Sequence, residues 1–199
     1  MIRTRTLTLI AAGSLFAFAL TSCGGNTLLG LPTNIGSATA NTGNNTDAAQ
    51  SVSPNTAAQG LSADESMILN KTNLARAESH NCGGVNFKAT TPLSWNAALA
   101  GSARAHTQDM ADHNYFSHDG LNGSTLETRD RAAGYTNYKT LGENIIAGYA
   151  ASEVVAGWLS SPSHCKTLMD PNFKDLGAAF VSKPGTTYGT YATQEFGTR

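Results

Sequence analysis

The chain has 199 residues, room for one domain of ordinary size and additional segments. Thirteen Lys and Arg face fourteen Asp and Glu, and charged residues make up only 14% of the chain. A net charge of −1 without a basic stretch argues against a nucleic-acid partner.

The first residues have the pattern of an export signal. Arg3 and Arg5 precede an apolar run that ends at Leu20, which is too short for a permanent membrane span. Cys23 follows directly, in the sequence Leu-Thr-Ser-Cys-Gly. This resembles a bacterial lipoprotein processing site, and it predicts a signal peptide over residues 1–22 with acyl chains on Cys23. Gly24 is not the aspartate linked to inner-membrane retention, so the outer membrane is favoured in an organism with two membranes.

Residues 23–60 change composition to Gly, Asn, Thr, Ser and Ala, with Asp47 as the single charge. Such a segment cannot bury enough apolar area to offset its chain entropy, so it is interpreted as a disordered linker. Residues 61–199 form the predicted folded domain. In an oxidising compartment Cys82 and Cys165 are expected to form a disulfide. A free thiol at Cys165 beside His164 is the alternative.

Helical patterns come first in the domain. A capping box at Ser62 and Glu65 predicts a helix to about residue 79, and Asn96 is expected to cap a second helix ending at His113. A further capping box at Ser124 and Glu127 predicts a short helix. Ser152 is expected to begin another helix, which Pro162 ends.

Strand-like patterns come last. Residues 175–181 and 187–196 alternate in polarity around a turn, and residues 141–149 resemble a further extended segment. Helices followed by paired strands predict an α+β domain whose antiparallel sheet packs on helices.

Eight short motifs then occur in one order along residues 62–199. They are Asn73 with Arg76, Leu93-Ser94-Trp95, His106 with Met110-Ala111, Tyr115-Phe116-Ser117-His118, Gly142-Glu143-Asn144-Ile145, Trp158 with Ser161-Pro162, His164, and Thr193-Gln194. Together they resemble the bacterial branch of the CAP superfamily (cysteine-rich secretory proteins, antigen 5 and pathogenesis-related 1), also called SCP-like extracellular proteins. The resemblance implies an α–β–α sandwich with a central antiparallel sheet and a cleft lined by histidine and glutamate.

The resemblance also implies the cleft residues. Glu143 matches the glutamate of the Gly-Glu-Asn motif, and His118 matches the first histidine of the family. The late histidine of the family is absent, because its motif reads Thr-Tyr-Ala-Thr-Gln over residues 190–194. Ser161 stands near the position of the second glutamate. His164 is therefore expected to supply the second imidazole.

The trio His118, Glu143 and His164 leaves several chemistries open. Two neutral imidazoles and a carboxylate would suffice for Zn²⁺ with an open position for water. The same groups could act as general acid and base, or they could hold the cleft wall through hydrogen bonds. His106 is interpreted as a core-edge histidine, and His80 and His113 as residues that end helices.

No nucleophile is evident, because the chain has no G-x-S-x-G elbow. The sequence therefore predicts a lipid-anchored, extracytoplasmic, monomeric protein. Its cleft is expected to bind a small ligand, such as a lipid, peptide or wall fragment, with a divalent metal as an option. A metal-dependent hydrolase of envelope polymers and a surface adhesion or scaffolding protein are the alternatives.

Overall fold

The structure is a computed structural model that describes residues 60–199. The predicted signal peptide, Cys23 and the predicted linker up to residue 59 lie outside the described residues. The helices within them are α1 (Ala63–Arg76), α2 (Ala97–Asp112), α3 (Leu126–Ala132), α4 (Val154–Ser160) and α5 (Pro162–Met169). The strands are β1 (His80–Cys82), β2 (Val85–Phe87), β3 (Ser94–Trp95), β4 (Thr140–Ala147), β5 (Asp175–Ser182) and β6 (Thr190–Thr198).

The main sheet has the order β3-β5-β6-β4. Strand β6 pairs antiparallel with both β5 and β4, and only the two-residue strand β3 runs parallel to its neighbour. Strands β1 and β2 form a separate antiparallel hairpin, in a segment for which the sequence predicts no strand. The predicted α+β class and the antiparallel core of the sheet are confirmed.

Both faces of the sheet are covered by helices, as the central strand β6 shows. Thr193 points to one face, where Thr107 of α2 donates a hydrogen bond to its Oγ1 at 2.8 Å. Gln194 points to the other face and donates from Nε2 to Thr72 Oγ1 of α1 at 2.7 Å. Because neighbouring residues of a strand face opposite sides, these two contacts place helical layers on both sides. The three layers form an α–β–α sandwich.

Helix α2 lies close against strand β5 at Gly177. A Cβ atom there would lie 2.1 Å from the backbone nitrogen of Ala100 and 2.2 Å from the carbonyl carbon of Leu99. Only a residue without a side chain allows this approach. The contact fixes the depth at which α2 packs on the sheet.

The predicted disulfide is confirmed. Cys82 of β1 and Cys165 of α5 are bonded, with Cα atoms 5.4 Å apart and 83 positions apart in sequence. Both are 1% exposed within the larger apolar core. Other fully buried members of that core are Ile68, Trp158, Leu168, Met169, Leu176 and Phe196.

A buried arginine joins α1 to the segment that follows α5, and we call this region the Arg76 corner. Arg76 is 0% exposed and donates to the carbonyl oxygens of Thr91 (2.9 Å), Leu168 (2.6 Å), Asp170 (3.0 Å) and Phe173 (3.4 Å). Burial lowers the pKa of Arg76 to about 10. Its acceptors are backbone oxygens, which do not titrate.

The predicted helix starts are partly right. The capping box of Ser62 and Glu65 begins α1, and Asn96 caps α2. At α3 the prediction is wrong by one residue, because Thr125 is the N-cap and its box partner is Thr128. Ser124 instead accepts the Gly120 N–H in a turn. The prediction for α4 is also wrong, since the N-cap is Glu153 and makes no side-chain cap.

Within residues 60–199, no helix has both the length and the apolar character to cross a lipid bilayer.

Candidate functional site

Glu143 of β4 is the central group of the candidate site. Its side chain is only 3% exposed, and both of its oxygens have partners. Oε1 lies 2.6 Å from His118 Nδ1, and Oε2 accepts from Arg129 Nη2 at 2.6 Å. A buried carboxylate needs such partners to offset its desolvation. Glu143 thus joins the loop that carries His118 to helix α3.

His118 lies on the loop between α2 and α3, and 57% of its side chain is exposed. The hydrogen bond to Glu143 raises its pKa, against the opposing effect of partial burial. Because Nδ1 faces a carboxylate, it carries the proton in the neutral ring as well, and Nε2 is the nitrogen left for a ligand. His118 is therefore the group of the site most easily charged near neutral pH.

His164 lies in the first turn of α5, and no hydrogen bond joins its ring to Glu143 among the described residues. Burial lowers its pKa, and the charge of His118 lowers it further. The backbone carbonyl of His164 accepts from Asn144 Nδ2 at 3.1 Å. The residue after Glu143 thus fixes α5 to β4 through the backbone of His164.

One cavity of about 630 Å³ brings the two imidazoles together, and we call it the cleft. It follows β4, an edge strand of the main sheet, past Ile145–Ala147. Its walls include three aromatic rings with a large exposed fraction: Phe116 at 39%, Tyr149 at 41% and Tyr188 at 44%. The Phe116 and Tyr188 ring centroids are 5.6 Å apart. Exposed aromatic rings around a concave surface are typical of ligand sites.

A three-ligand zinc site, one of the options that the sequence leaves open, is not assembled among the described residues. Within residues 60–199, no group of three or more His, Cys, Asp or Glu side chains is arranged to hold a metal ion. The physical reason is Arg129, whose guanidinium occupies one Glu143 oxygen while His118 Nδ1 occupies the other. A cation already fixed on this carboxylate opposes a second one. The residues present do not fit zinc bound by His118, Glu143 and His164 together.

Three ionisable residues behind Glu143 were not predicted from the sequence: Arg129, Asp130 and Glu195. The side chain of Arg129 is 8% exposed, and Asp130 and Glu195 are fully buried. Two signals point to them. The α3 segment lacks an apolar stripe, so its buried side must be polar, and Glu195 is the one acidic residue inside the strand-like segment before Phe196.

The other histidines stay outside the cleft. His106 is 1% exposed, its Nε2 lies 3.0 Å from the Ser117 carbonyl, and burial lowers its pKa. Its interpretation as a core-edge histidine agrees with this position. His113 caps the end of α2 and contacts Asp109, while His80 begins β1 rather than ending α1.

A sandwich of helices around a small antiparallel sheet, with two histidines in a cleft along its edge strand and a buried glutamate bonded to one of them, defines an SCP-type domain. The comparison of sequences gives the same result for most of the chain: residues 69–196 match the model of the family described as "CAP: Cysteine-rich secretory protein family". The chain therefore belongs to the CAP family.

Individual relatives agree with this assignment. YkwD, an uncharacterized protein of Bacillus subtilis, is 33% identical over 141 residues, which are 70% of this chain and 49% of YkwD. The crystal structure of an extracellular SCP-domain protein from Bacillus anthracis is 30% identical, with a TM-score of 0.53, over 68% of this chain and 40% of that one.

An outer surface protein of Borrelia burgdorferi, 19% identical, shares the fold with a TM-score of 0.56 over 68% of this chain and 92% of its own. The chain spans about half or less of the length of the two Bacillus proteins.

Proposed function

We propose that this chain is an extracytoplasmic CAP-domain protein whose cleft binds a small ligand. The ligand combines an apolar or ring-shaped part with an anionic or strongly accepting group. The observation that carries the proposal is that three aromatic rings and two imidazoles line one cavity of about 630 Å³. Its volume lies within the range of small-molecule sites.

The two kinds of side chain in the cleft suit different parts of such a ligand. Phe116, Tyr149 and Tyr188 offer flat apolar surfaces, which favour rings and hydrocarbon chains. His118 and His164 offer nitrogen donors, and His118 carries positive charge more readily than an isolated histidine. A lipid, a peptide or a wall fragment with a carboxylate suits both kinds of side chain.

The cellular setting is part of the proposal. The Bacillus anthracis relative is described as extracellular and the Borrelia relative as an outer surface protein. The disulfide suits an oxidising compartment. We propose that acyl chains on Cys23 anchor the protein to a membrane, the outer one where there are two. A mass spectrum of the mature N-terminus tests this: a lipidated Cys23 is expected, and an unmodified Cys23 contradicts it.

Binding is tested in two stages. Native mass spectrometry of the protein isolated from its own host identifies the bound molecule. Calorimetry with that molecule then compares the wild type with His118→Ala, His164→Ala and Tyr188→Ala. We expect each variant to weaken binding about tenfold or more, because each removes a group that faces the cavity.

His113→Ala is the matched control, since this exposed histidine lies outside the cleft. Unchanged affinity in all three cleft variants would contradict the proposal and favour adhesion through another surface. A zinc titration of the same proteins tests metal binding by the two imidazoles alone. Heat that disappears in both histidine variants would revive the metal-dependent hydrolase alternative.

A further inference from the structure

Beneath the cleft, three carboxyl groups share one permanent cation. Glu143 and Glu195 lie opposite each other on the paired strands β4 and β6, so both side chains point to the same face of the sheet. Arg129 lies between them, with Nη2 2.6 Å from Glu143 Oε2 and Nε 4.0 Å from Glu195 Oε1. Asp130, the next residue of α3, is the third carboxyl group and is fully buried.

The hydrogen bonds around Asp130 and Glu195 are incomplete when both groups are treated as carboxylates. Ser102 Oγ donates to Glu195 Oε1 at 3.0 Å. The remaining oxygens, which are Glu195 Oε2 and both oxygens of Asp130, have no donor. Buried acceptors without a donor are rare in folded proteins, because each costs the desolvation of a polar atom.

One proton resolves this shortage. The two carboxyl groups lie within hydrogen-bonding reach of each other, so a proton on one of them makes it a donor to the other. The pair then carries a single negative charge. Two ionised carboxylates in contact in a buried site would instead repel each other with only Arg129 nearby.

We propose that Asp130 and Glu195 hold one proton between them and that Arg129, held over this pair, is the positioning residue that fixes Glu143 against His118. Arg129 also donates from Nη1 to the His118 carbonyl at 3.0 Å, so it contacts both partners of the His118–Glu143 pair.

Electrostatics agrees with this arrangement. Burial raises the pKa of both Asp130 and Glu195. The hydrogen bond and charge of Asp130 raise the pKa of Glu195 further, whereas the hydrogen bond to Glu195 lowers the pKa of Asp130, which favours the proton on Glu195. The charged and titratable groups that face the pair are Arg129 from α3 and Glu143 from β4, and His106 of α2 lies close to both of these. Burial and the charge of Arg129 lower the pKa of His106, so this ring is neutral and supplies no further cation.

The first test needs no variant. In the ¹³C spectrum of the labelled protein at pH 7, with a chelator present, one Asp or Glu carboxyl carbon is expected at the position of a protonated acid. That signal is expected to disappear in both Glu195→Gln and Asp130→Asn and to persist in Glu78→Gln, which removes an exposed carboxylate. A wild-type spectrum in which every carboxyl group is ionised at pH 7 overturns the proposal.

The second test uses the imidazole of His118, titrated by NMR. Glu195→Gln is expected to leave its pKa within about 0.2 units, because the remaining acid ionises and the pair keeps its charge of −1. A fall of about half a unit or more would mean that both acids were ionised in the wild type.

Arg129→Met is expected to raise the His118 pKa by about one unit, since a nearby cation is lost and Glu143 has only His118 as a partner. Arg129→Lys keeps the charge, and it is expected to give a smaller rise and to serve if the methionine variant does not fold. No change of the His118 pKa in either variant would reduce Arg129 to a packing residue.

Discussion

The two buried arginines of this domain serve different kinds of region. Arg76 donates to four backbone carbonyl oxygens and makes no ion pair within the described residues. Arg129 contacts Glu143 and approaches Glu195, and its other hydrogen bonds reach the loop that carries His118. The acceptors of Arg76 are uncharged carbonyl oxygens, whereas Arg129 faces carboxyl groups as well as carbonyl oxygens. The Arg76 corner is therefore a structural contact that does not depend on pH, and the region around Arg129 can respond to protons and ligands.

The largest effect is expected at the Arg76 corner. Arg76→Met leaves four carbonyl oxygens without their donor in a buried site. We expect it to lower the free energy of unfolding by about 4–5 kcal/mol, because unmet buried acceptors cost roughly 1–3 kcal/mol each and partly rearrange. Urea denaturation at pH 6 and pH 8 measures it. The loss should be the same at both pH values, and a loss below about 1 kcal/mol would contradict the assigned role.

The second-largest effect is expected at the disulfide, which holds α5 next to the Arg76 corner. Cys82→Ala combined with Cys165→Ala opens a loop of 83 positions and is expected to cost about 3–4 kcal/mol. Thermal unfolding of this double variant, with and without reductant, measures it. Reductant should shift only the wild type, and equal shifts in both proteins would show that another site is responsible.

How far the sequence predicts these two regions depends on the kind of signal. The capping box at Ser62 and Glu65 and the strand alternation around residue 180 are local, and they predict α1 and the end of the sheet well. The family motifs predict the positions of His118, Glu143 and His164. The sequence does not predict that Arg129 pairs with Glu143. The two residues are 14 positions apart, and only the packing of α3 on β4 brings them together.

Local signals also fail where two registers are possible. Ser124 and Glu127 satisfy the spacing of a capping box, but the box forms one residue later, between Thr125 and Thr128. The backbone carbonyl of Ser124 accepts the Gly120 N–H in a turn, and Glu127 accepts from Arg131 and Tyr138. The option of zinc at His118, Glu143 and His164 meets a related obstacle. A list of donor residues does not reveal a cation that already occupies the carboxylate.

Variants of Glu195 test the region around Arg129. Glu195→Gln is expected to change the free energy of unfolding at pH 7 by less than about 1 kcal/mol, because an amide replaces a group of similar shape. Glu195→Ala, the comparison variant, removes the acceptor of Ser102 and is expected to cost about 2–3 kcal/mol.

The contribution of Glu195 to the stability of the wild type has a definite sign. Because burial raises the folded-state pKa of this acid, its contribution is complete below the unfolded-state pKa and is lost as pH rises through the folded-state value. Glu195→Gln should lose that slope, which chemical denaturation between pH 5 and about pH 9 would show. An unchanged slope would place the titrating group elsewhere.

The smallest expected effect lies at His118. Its folded-state pKa is raised above 6.5, so its contribution is complete below the unfolded-state pKa and is lost as pH rises through the folded-state value. With 57% of the side chain exposed, this contribution is about a few tenths of a kcal/mol. Melting curves of wild type and His118→Ala between about pH 5 and 8 measure it. A wild type that gains stability as the pH rises through this range, relative to the variant, would contradict the sign.

The position of Cys165 has a consequence for when the cleft forms. His164 and Cys165 are neighbours on a helix of eight residues, and the covalent link holds that helix to the hairpin of β1 and β2. Until the two thiols are oxidised, this short helix lacks that covalent link, and only its core packing and the hydrogen bond from Asn144 hold it to the sheet. We therefore expect the wall of the cleft that carries His164 to be less ordered in a newly made, reduced chain.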